Sequence, residues 1–398
     1  MKAGWPLKPL ADVCQIKPPK AEARNRISDE GLVSFVPMED LGINQKYLVP
    51  AQTRTLGEVS GSYTYFADGD VLLAKITPCF ENGKLGIADN LTNGVGFGSS
   101  EYIVFRPSPV VAKEWLYYFL SQESFRVEGA ECMSGAVGHK RVAKEFIESY
   151  LIPVPPLPEQ HRIVAILDAA FDGIATAKAN AEQNLQNARA SFESHLQQVF
   201  TERGKGWVEK RLGEVCTITS NLVDPRKEEF RDLIHVGAAN IEPQTGVFVG
   251  LKTARDEGLI SGKFLFDESM VLYSKIRPYL MKVARPGFSG LCSADMYPLA
   301  PLPNQITRDY LFHLLLSKPF TDYAIQGSAR AGMPKVNREH LFDFRVWLPD
   351  VEKQSELSLK LDALHAETQH LESLYRQKLT ALGDLKRSLL HQAFSGQL

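Results

Sequence analysis

The residues best suited to binding chemistry in this sequence are cations that recur at matching places in its two halves. Lys75 opens a Lys-Ile-Thr-Pro turn after an apolar strand pattern, and Lys275 opens a Lys-Ile-Arg-Pro turn in the second half. Lys and Arg beside Gly suit contact with DNA phosphates, and Arg, Lys, Asn and Gln suit hydrogen bonding to base edges. For Lys75 and Lys275 the recurrence favours DNA contact. For each other cation, an ordinary solvated loop charge remains the alternative.

The full set of candidates comprises the cations and polar residues near these turns, in the segment after the first strand and in a later Gly-containing loop. The predicted DNA-contacting residues are Lys17, Lys20, Lys75, Thr77, Lys84, His139, Lys140 and Arg141 in the first half, and Arg226, Lys227, Lys275, Arg277, Lys282, Arg330 and Lys335 in the second.

Catalytic motifs are missing from the sequence. It contains no P-loop, no Rossmann glycine spacing after a strand, no HExxH and no Gly-x-Ser-x-Gly. The Asn/Asp-Pro-Pro-Tyr/Phe tetrapeptide of amino-methyltransferases is also missing. The histidines are scattered, and His139 alone falls in a candidate loop. We therefore predict no catalytic residues and no metal site.

Composition limits the class of protein. The 398 residues suggest two or three domains, and 44% hydrophobic residues suffice for real cores. The net charge is −2, but residues 205–346 carry 19 Lys and Arg against 16 Asp and Glu, so a DNA surface must be a local patch. Cys14 and Cys216 occupy matching apolar positions, which predicts buried side chains. No signal peptide or long apolar run occurs, and we expect a cytoplasmic protein.

The clearest part of the repeat is a pair of long helices. Residues 153–204 begin with a Pro-rich lead-in and continue almost without Gly or Pro, which is typical of a helix. Shifted by 194, Leu167-Asp168-Ala169 falls on Leu361-Asp362-Ala363. Steps of 4 and 3 predict a coiled-coil seam, Ala-rich in one helix and Leu-rich in the other. The predicted seam positions are Ile163, Leu167, Ala170, Ile174, Ala177, Ala181, Asn184, Ala188, Ser191 and His195, and Leu357, Leu361, Leu364, Thr368, Leu371, Tyr375, Lys378, Leu382, Leu385 and Leu389.

The repeat predicts the domain organisation. The fold class is α+β, with two strand-rich α/β domains joined by an antiparallel pair of long coiled-coil helices in an internal pseudo-two-fold repeat. Antiparallel packing follows because the termini of the second domain should lie close together. Helices of this size would make a rod roughly 60 Å long. The predicted boundaries are 1–152 and 205–346 for the domains and 153–204 and 347–398 for the helices.

Three helix motifs carry a family resemblance. The lead-in Pro-Pro-Leu-Pro-Glu-Gln-His-Arg-Ile-Val (155–164), the lead-in at 348–354 and the closing Leu-Leu-His-Gln-Ala-Phe-Ser-Gly (389–396) resemble the conserved helices of the specificity (S) subunit of type I restriction–modification systems. The second lead-in departs from the pattern at 350–353. Carried over by motif, the scaffold and subunit-docking residues are Pro156, Leu157, Glu159, Gln160, Arg162, Ile163, Gln354 and Leu357.

The resemblance implies a non-catalytic subunit in which each domain reads one half of a bipartite, gapped double-stranded DNA target. The implied partners are two modification subunits, which bind S-adenosylmethionine and methylate adenine, and ATP-dependent restriction subunits. S-adenosylmethionine, ATP and Mg are expected on those partners only. The recognition domains of this family diverge too far for any base-contacting residue to be carried over.

Two other classes compete with this interpretation. A methyltransferase fused to its own recognition domain is disfavoured by the missing tetrapeptide and by the lack of room for a catalytic domain. A coiled-coil scaffold without a DNA role would show no salt-dependent binding of duplex DNA, whereas a specificity subunit with its modification subunits would.

Overall fold

The computed structural model describes residues 4–218, 221–328 and 334–398. The chain divides into two compact units, and one of them is discontinuous in sequence. Unit 1 comprises Met1–Ala181 and Gln377–Leu398, and unit 2 comprises Glu182–Arg376. Each long helix therefore contributes one part to each unit.

From residue 4 onward, unit 1 contains ten short strands, six short α-helices, the beginning of the first long helix and the end of the second. The strands are β1 (Leu7–Pro9), β2 (Cys14–Ile16), β3 (Leu32–Val36), β4 (Gln52–Thr55), β5 (Thr64–Ala67), β6 (Val71–Ala74), β7 (Leu85–Ile87), β8 (Val95–Gly98), β9 (Tyr102–Pro107) and β10 (Leu151–Pro153). The helices are α1 (Leu10–Val13), α2 (Ala21–Arg24), α3 (Leu56–Val59), α4 (Lys113–Leu120), α5 (Glu123–Glu131), α6 (Lys144–Ser149) and α7 (Leu157–Thr201).

Two four-stranded sheets form the body of unit 1. One is antiparallel, in the order β2-β9-β6-β7, and the other has the order β4-β3-β8-β5 with β3 and β8 parallel. Strand β6 is apolar along its whole length because both its faces are buried. Val71 and Leu73 pack into the core that contains α4, while Leu72 and Ala74 pack into a second core with Phe66.

Unit 2 repeats this plan. Its strands are β11 (Val208–Arg211), β12 (Cys216–Thr217), β13 (Leu222–Val223), β14 (Ile234–Val236), β15 (Lys252–Thr253), β16 (Lys263–Phe266), β17 (Val271–Ser274), β18 (Val283–Ala284), β19 (Gly290–Cys292), β20 (Met296–Pro301) and β21 (Arg345–Leu348). Its short helices are α8 (Arg308–Leu316), α9 (Lys318–Gln326) and α10 (Arg338–Asp343), and the second long helix is α11 (Val351–Ser395).

The sheets of unit 2 match those of unit 1 strand by strand. The order β12-β20-β17-β18 corresponds to β2-β9-β6-β7, and β16-β19-β14-β15 corresponds to β5-β8-β3-β4, with β13 added at one edge. The parallel pair recurs as β14 and β19. Strand β17 again divides its side chains between two cores, with Val271 on one side and Leu272 on the other. The predicted repeat and fold class are confirmed.

The long helices pack antiparallel within each unit. In unit 1, Arg162 near the start of α7 donates a hydrogen bond to the backbone oxygen of Leu398 at 2.9 Å, beyond the end of α11. In unit 2, Arg189 of α7 pairs with Glu372 of α11 at 2.8 Å. Both helices are 45 residues long. None of the helices in the part of the chain that the structure describes is long and apolar enough to cross a membrane.

The predicted seam is correct throughout the unit 1 part of α7 and the unit 2 part of α11, and elsewhere only at Ala188, Leu382 and Leu389, which are half-buried. Beyond Ala181 the buried or half-buried positions of α7 are 185, 188, 192, 196, 199 and 200, whereas the predicted Asn184, Ser191 and His195 are exposed. In α11 the predicted Lys378 and Leu385 are likewise exposed. A helix with 3.6 residues per turn drifts by about 20° per heptad from a strict 3.5 repeat. After three heptads, the buried face lies one position further along the chain.

Candidate nucleic-acid interface

In unit 1, the end of strand β6 is joined to the Gly-containing loop at 134–142 by backbone hydrogen bonds. Thr77 N–H donates to the Lys140 oxygen at 2.9 Å, and Val142 N–H donates to the Lys75 oxygen at 3.0 Å. Ile76 and Arg141 form a β-bridge. The structure thus brings together four predicted DNA-contacting residues from two distant segments, namely Lys75, Thr77, Lys140 and Arg141.

Unit 2 makes the same connection with different side chains. Arg277 N–H donates to the Pro334 oxygen at 2.9 Å, and Val336 N–H donates to the Lys275 oxygen at 2.8 Å. The β-bridge here joins Ile276 and Lys335. Arg330 lies outside the described residues. The framework that holds the candidate cations together is therefore common to both units.

A carboxylate that sequence reasoning missed lies between the two joined segments in each unit. Glu101 forms a bidentate ion pair with Arg141, at 2.7 and 2.9 Å, and lies 4.0 Å from the Lys75 ammonium. Its counterpart Asp295 lies 3.8 Å from Lys275 and 3.9 Å from Lys335. The hydrogen bond from Arg141 lowers the pKa of Glu101. Both acids directly precede a matching strand, so the repeat contained the signal.

These carboxylates divide the candidate cations into paired and unpaired ones. Arg277 and Lys140 are exposed, and among the described residues neither side chain makes a hydrogen bond or an ion pair. Arg277 has a left-handed backbone, with φ 49°. Val137, at the tip of the loop in unit 1, is 94% exposed. Gly135 and Gly138 give that loop its positive φ angles of 125° and 80°.

Lys84 and Lys282 are engaged inside their units. Lys84 Nζ donates to the Met38 oxygen at 2.6 Å, and Lys282 Nζ donates to the Ala238 oxygen at 2.6 Å. Each lysine thereby holds the short 3-10 turn that follows β3 or β14. Each lysine therefore stabilises a turn within its own unit, and the contact is the same in both units.

The candidates after the first strand are arranged differently in the two units. Lys17 is exposed with φ 57°, and Lys20 Nζ donates to the Gly61 oxygen at 2.9 Å. In unit 2, Arg226 forms a bidentate pair with Asp224 at 2.8 and 2.9 Å, and Lys227 lies 4.0 Å from Glu229. His139 is exposed in the loop of unit 1.

The family-derived glutamines dock the long helices onto their own units. Gln160 accepts from Ala112 N–H at 2.8 Å and donates to the Val110 and Pro155 oxygens at 2.9 and 2.8 Å. Gln354 accepts from Thr307 N–H at 2.8 Å and donates to the oxygens at 305 and 349, both at 3.0 Å. Both side chains are fully buried, so they attach each long helix to its own unit.

The other scaffold candidates include both buried and exposed side chains. Ile163 is buried, and Leu157 and Leu357 are half-buried against the cores of their units. Pro156 and Arg162 are exposed. Arg162 forms a bidentate pair with Glu159 at 2.7 and 2.9 Å.

Within the described ranges, no group of three or more His, Cys, Asp or Glu side chains is arranged to hold a metal ion. Cys14 and Cys216 are buried as predicted, and burial raises the pKa of both thiols to about 12. Neither thiol is therefore a ready nucleophile.

The fold and the paired surfaces define a class of protein: a duplicated α/β domain on a shared helix pair, with cationic loop segments in each copy. The chain belongs to the family described as type I restriction modification DNA specificity domain, whose model matches residues 2–187 and 204–381. The predicted family resemblance is confirmed, and one family domain falls on each half of the repeat.

Known relatives agree with this family. The chain is 30% identical over 258 residues to the type I restriction enzyme EcoDI specificity subunit of Escherichia coli, covering 64% of this chain and 57% of the relative. It is 36% identical over 199 residues to the EcoEI specificity subunit of the same organism, covering 50% of this chain and 32% of the relative. The chain thus spans between about a third and a little over half of these relatives.

Among solved structures, a chain from a study of complex assembly and conformational transition of the type I R-M system has the same fold. The TM-score is 0.76 over 100% of this chain and 99% of that chain, at 19% sequence identity.

Proposed function

We propose that this chain is the DNA-reading subunit of a type I restriction–modification complex, and that each unit contacts one half of a bipartite, gapped double-stranded DNA target. The observation that carries the proposal is the duplicated junction between a strand end and a Gly-containing loop, which presents cations in both units. Cations on loops whose backbone is held in place suit phosphate contact and base reading.

The contacts of the candidate cations suggest different roles. Lys140 and Arg277, exposed and without side-chain partners among the described residues, are the proposed direct contacts with DNA. Arg141 and Lys335 share their charge with a carboxylate, which favours positioning of the loop over strong phosphate binding. Lys84 and Lys282 are proposed to hold the turn behind this surface.

We further propose that the two half-sites are unrelated in sequence. Two identical readers related by a two-fold axis would recognise an inverted repeat. Here Thr77 stands where the second unit has Arg277, and the acid between the segments changes from Glu101 to Asp295. A changed donor set at matching positions predicts different bases.

Chemistry in the complex is proposed to reside on partner subunits. Two modification subunits would bind S-adenosylmethionine and methylate adenine, and restriction subunits would use ATP and Mg. The exposed faces of α7 and α11 are the proposed docking surface for these partners.

The test is binding of duplex DNA by the complex of this chain with its modification subunits, across a range of salt concentrations. The target comes from methylome sequencing of the host. We expect affinity to fall steeply with salt because phosphate contacts release counterions. Arg277→Gln should weaken binding of the target by roughly tenfold and relax discrimination in one half-site only. Arg345→Gln, which removes an exposed cation outside the junction, is the matched control.

Two results would count against the proposal. One is binding without salt dependence, which would leave a helical scaffold with no DNA role. The other is a methylated motif that depends on this chain and is palindromic, which would contradict the two unrelated readers.

A further inference from the structure

A cavity of about 440 Å³ lies in unit 1 between the start of α5 and the last part of α11. Three cations line it, namely Arg126, Lys386 and Arg387, together with Asn44 and the carboxylate of Glu123. Arg387 lies 3.6 Å from Glu123 and also pairs with Asp384. Its charge is therefore compensated by neighbouring acids.

The other two cations lack such compensation. Lys386 Nζ donates to Asn44 Oδ1 at 2.8 Å and lies 5.1 Å from the ring centroid of Phe171. Arg126 donates to the backbone oxygen of Ser121. Within the described part of the chain, neither is within 4.0 Å of a carboxylate oxygen, whereas Arg285 and Arg189, which also contact the long helices, pair with Asp362 and Glu372. Two positive groups thus line the cavity without an ion pair of their own, and Glu123 is the one carboxylate among the lining residues.

Besides burial, nearby positive charge affects the pKa of Lys386, whereas burial alone lowers that of Arg126. Burial, followed by repulsion from Lys178 and Arg126, lowers the pKa of Lys386. Burial also lowers the pKa of Arg126, although Glu123 opposes this. A bound anion would relieve both the repulsion and the loss of hydration.

The start of α5 adds hydrogen-bond donors to the same cavity. Its N-cap residue Gln122 makes no capping hydrogen bond with its side chain. Ser124 in the first turn lines the cavity. Backbone N–H groups at a helix start and the helix dipole both favour an anion at this position.

Unit 2 contains the equivalent cavity, of about 620 Å³, and there the charges are different. At the repeat positions of Lys386, Arg387 and Arg126 it has Phe192, Glu193 and Thr321. Its own lining cations have acidic partners: Arg189 pairs with Glu372 at 2.8 Å, and Lys318 pairs with Asp322 at 2.7 Å. The cavity is therefore present in both units, but cations without an ion pair line it in unit 1.

We propose that the unit 1 cavity is a phosphate-binding site, with Lys386 and Arg126 as its charged donors and the start of α5 as its neutral donor. Several N–H donors of mixed charge around one space suit the oxygens of a phosphate group. The phosphate would come either from the DNA backbone or from a free phosphate, and the experiment distinguishes the two sources.

The first arm measures binding of inorganic phosphate to the full chain by isothermal titration calorimetry. We expect one saturable site in the native chain and at least about tenfold weaker binding in Lys386→Gln, since a charge-assisted hydrogen bond is lost. Lys386→Arg should restore binding. Lys318→Gln, which removes a cation from the equivalent cavity of unit 2, should leave phosphate binding unchanged.

The second arm works on the native sequence and so does not depend on any variant folding. Acylation of lysines, mapped by mass spectrometry, should modify Lys386 more slowly when phosphate is present and leave Lys318 unaffected. The third arm compares the salt dependence of DNA binding by the complex with modification subunits. If the phosphate comes from DNA, Lys386→Gln should reduce the salt slope by about one.

Phosphate binding with an unchanged DNA slope would assign the site to a free phosphate, and a reduced slope would assign it to the DNA backbone. The proposal is overturned if the native chain shows no saturable phosphate binding, no protection of Lys386 and no change in the salt slope. The calorimetric arm does not require DNA reading, so its failure is distinct from failure of the proposed function.

Discussion

A matching pair of aspartates on the long helices has different hydrogen-bond partners in the two units. In unit 1, Asp168 accepts hydrogen bonds from Lys46 Nζ at 2.7 and 2.8 Å and from the Tyr118 hydroxyl. In unit 2, Asp362 accepts from Arg285 at 2.7 and 3.0 Å and from His313 Nε2 at 2.9 Å. The acid is retained, but both of its partners have changed.

The buried glutamines Gln160 and Gln354 show the opposite behaviour, because their three hydrogen bonds are the same in both units. The partners of the glutamines are backbone N–H and carbonyl groups, which any sequence supplies. The partners of the aspartates are side chains, which can be replaced as long as a donor remains. Each long helix is therefore attached to its unit in the same way by the glutamine contacts with the backbone, whereas the aspartate contacts with side chains differ between the units.

The largest effect should come from removing a glutamine. Gln160→Leu and Gln354→Leu each leave one buried N–H and two carbonyls without partners, and each should destabilise its own unit by roughly 3–5 kcal/mol. Hydrogen exchange followed by mass spectrometry resolves the two units. Gln198→Leu, an exposed position on α7, should change stability by less than about 0.5 kcal/mol. A much smaller cost for one of the two buried glutamines would contradict their equivalence.

The seam of α7 in unit 2 gives the next largest effect. Leu196 is buried and His195, the position that a strict heptad predicts, is exposed. Leu196→Ala should cost about 2–4 kcal/mol because it leaves a cavity, while His195→Ala should cost under about 0.5 kcal/mol. The stability of unit 2 in the Leu196→Ala and His195→Ala variants is compared by urea unfolding followed by hydrogen exchange. Equal costs would mean that the drift of the helix face is absent in solution.

Removing an aspartate should have a smaller and unequal effect. Asp362→Ala leaves Arg285 and the His313 N–H with fewer acceptors. We expect the free energy of unfolding to fall by about 2–3 kcal/mol, which is less than for a fully buried pair because the Asp362 side chain is 33% exposed. Asp168→Ala should cost about 1 kcal/mol, since the Asp168 side chain is more exposed. The asparagine variants, which keep an acceptor, are the controls. Equal losses from the two alanine variants would contradict the contrast between the units.

The smallest predicted effect is a pH dependence confined to unit 2. Burial lowers the pKa of His313, while its hydrogen bond to Asp362 acts in the opposite direction. The positive charge of Arg285 lowers this pKa further. Asp309 and His365 also face His313. Burial likewise lowers the pKa of His235, against the pull of Glu257. These histidines are neutral in the folded state and have a pKa of about 6.5 when unfolded. Their stabilisation is therefore complete above about pH 6.5 and declines as the pH falls below it.

We expect the free energy of unfolding of unit 2 to fall by up to about 1 kcal/mol between pH 7 and pH 5.5, and His313→Gln to reduce that slope by up to one proton. Pulse-labelling hydrogen exchange at a fixed labelling pH measures the loss in each unit separately. Tyr118 occupies the matching place in unit 1, and burial followed by its hydrogen bond to Asp168 raises its pKa, so it stays neutral over this range. An equal pH slope in the two units would refute the assignment to the buried histidines.

The sequence predicted what is periodic or repeated. The long helices, the duplicated strands around Val71 and Val271, and the cations Lys75 and Lys275 were all visible as patterns. The repeat places Glu101 and Asp295 at matching positions before β9 and β20, but their pairing with the cations could not be predicted, because it depends on how distant segments fold onto the strand end. The equivalent cavities could not be predicted either, since each is formed by segments far apart in the chain.

The discontinuity of unit 1 has a consequence for the order in which the protein is made. The ring centroid of Phe394 lies 4.4 Å from that of Trp115 and 5.3 Å from that of Phe119, in tilted and edge-to-face contacts, so a segment translated late completes the core of the first unit. Unit 2 is continuous in sequence and leaves the ribosome whole before that segment does. At about 5–20 residues per second, the delay is on the order of ten seconds or more. During that interval the aromatic face around Trp115 is left open on the nascent chain, a vulnerable period that a chaperone would be well placed to cover.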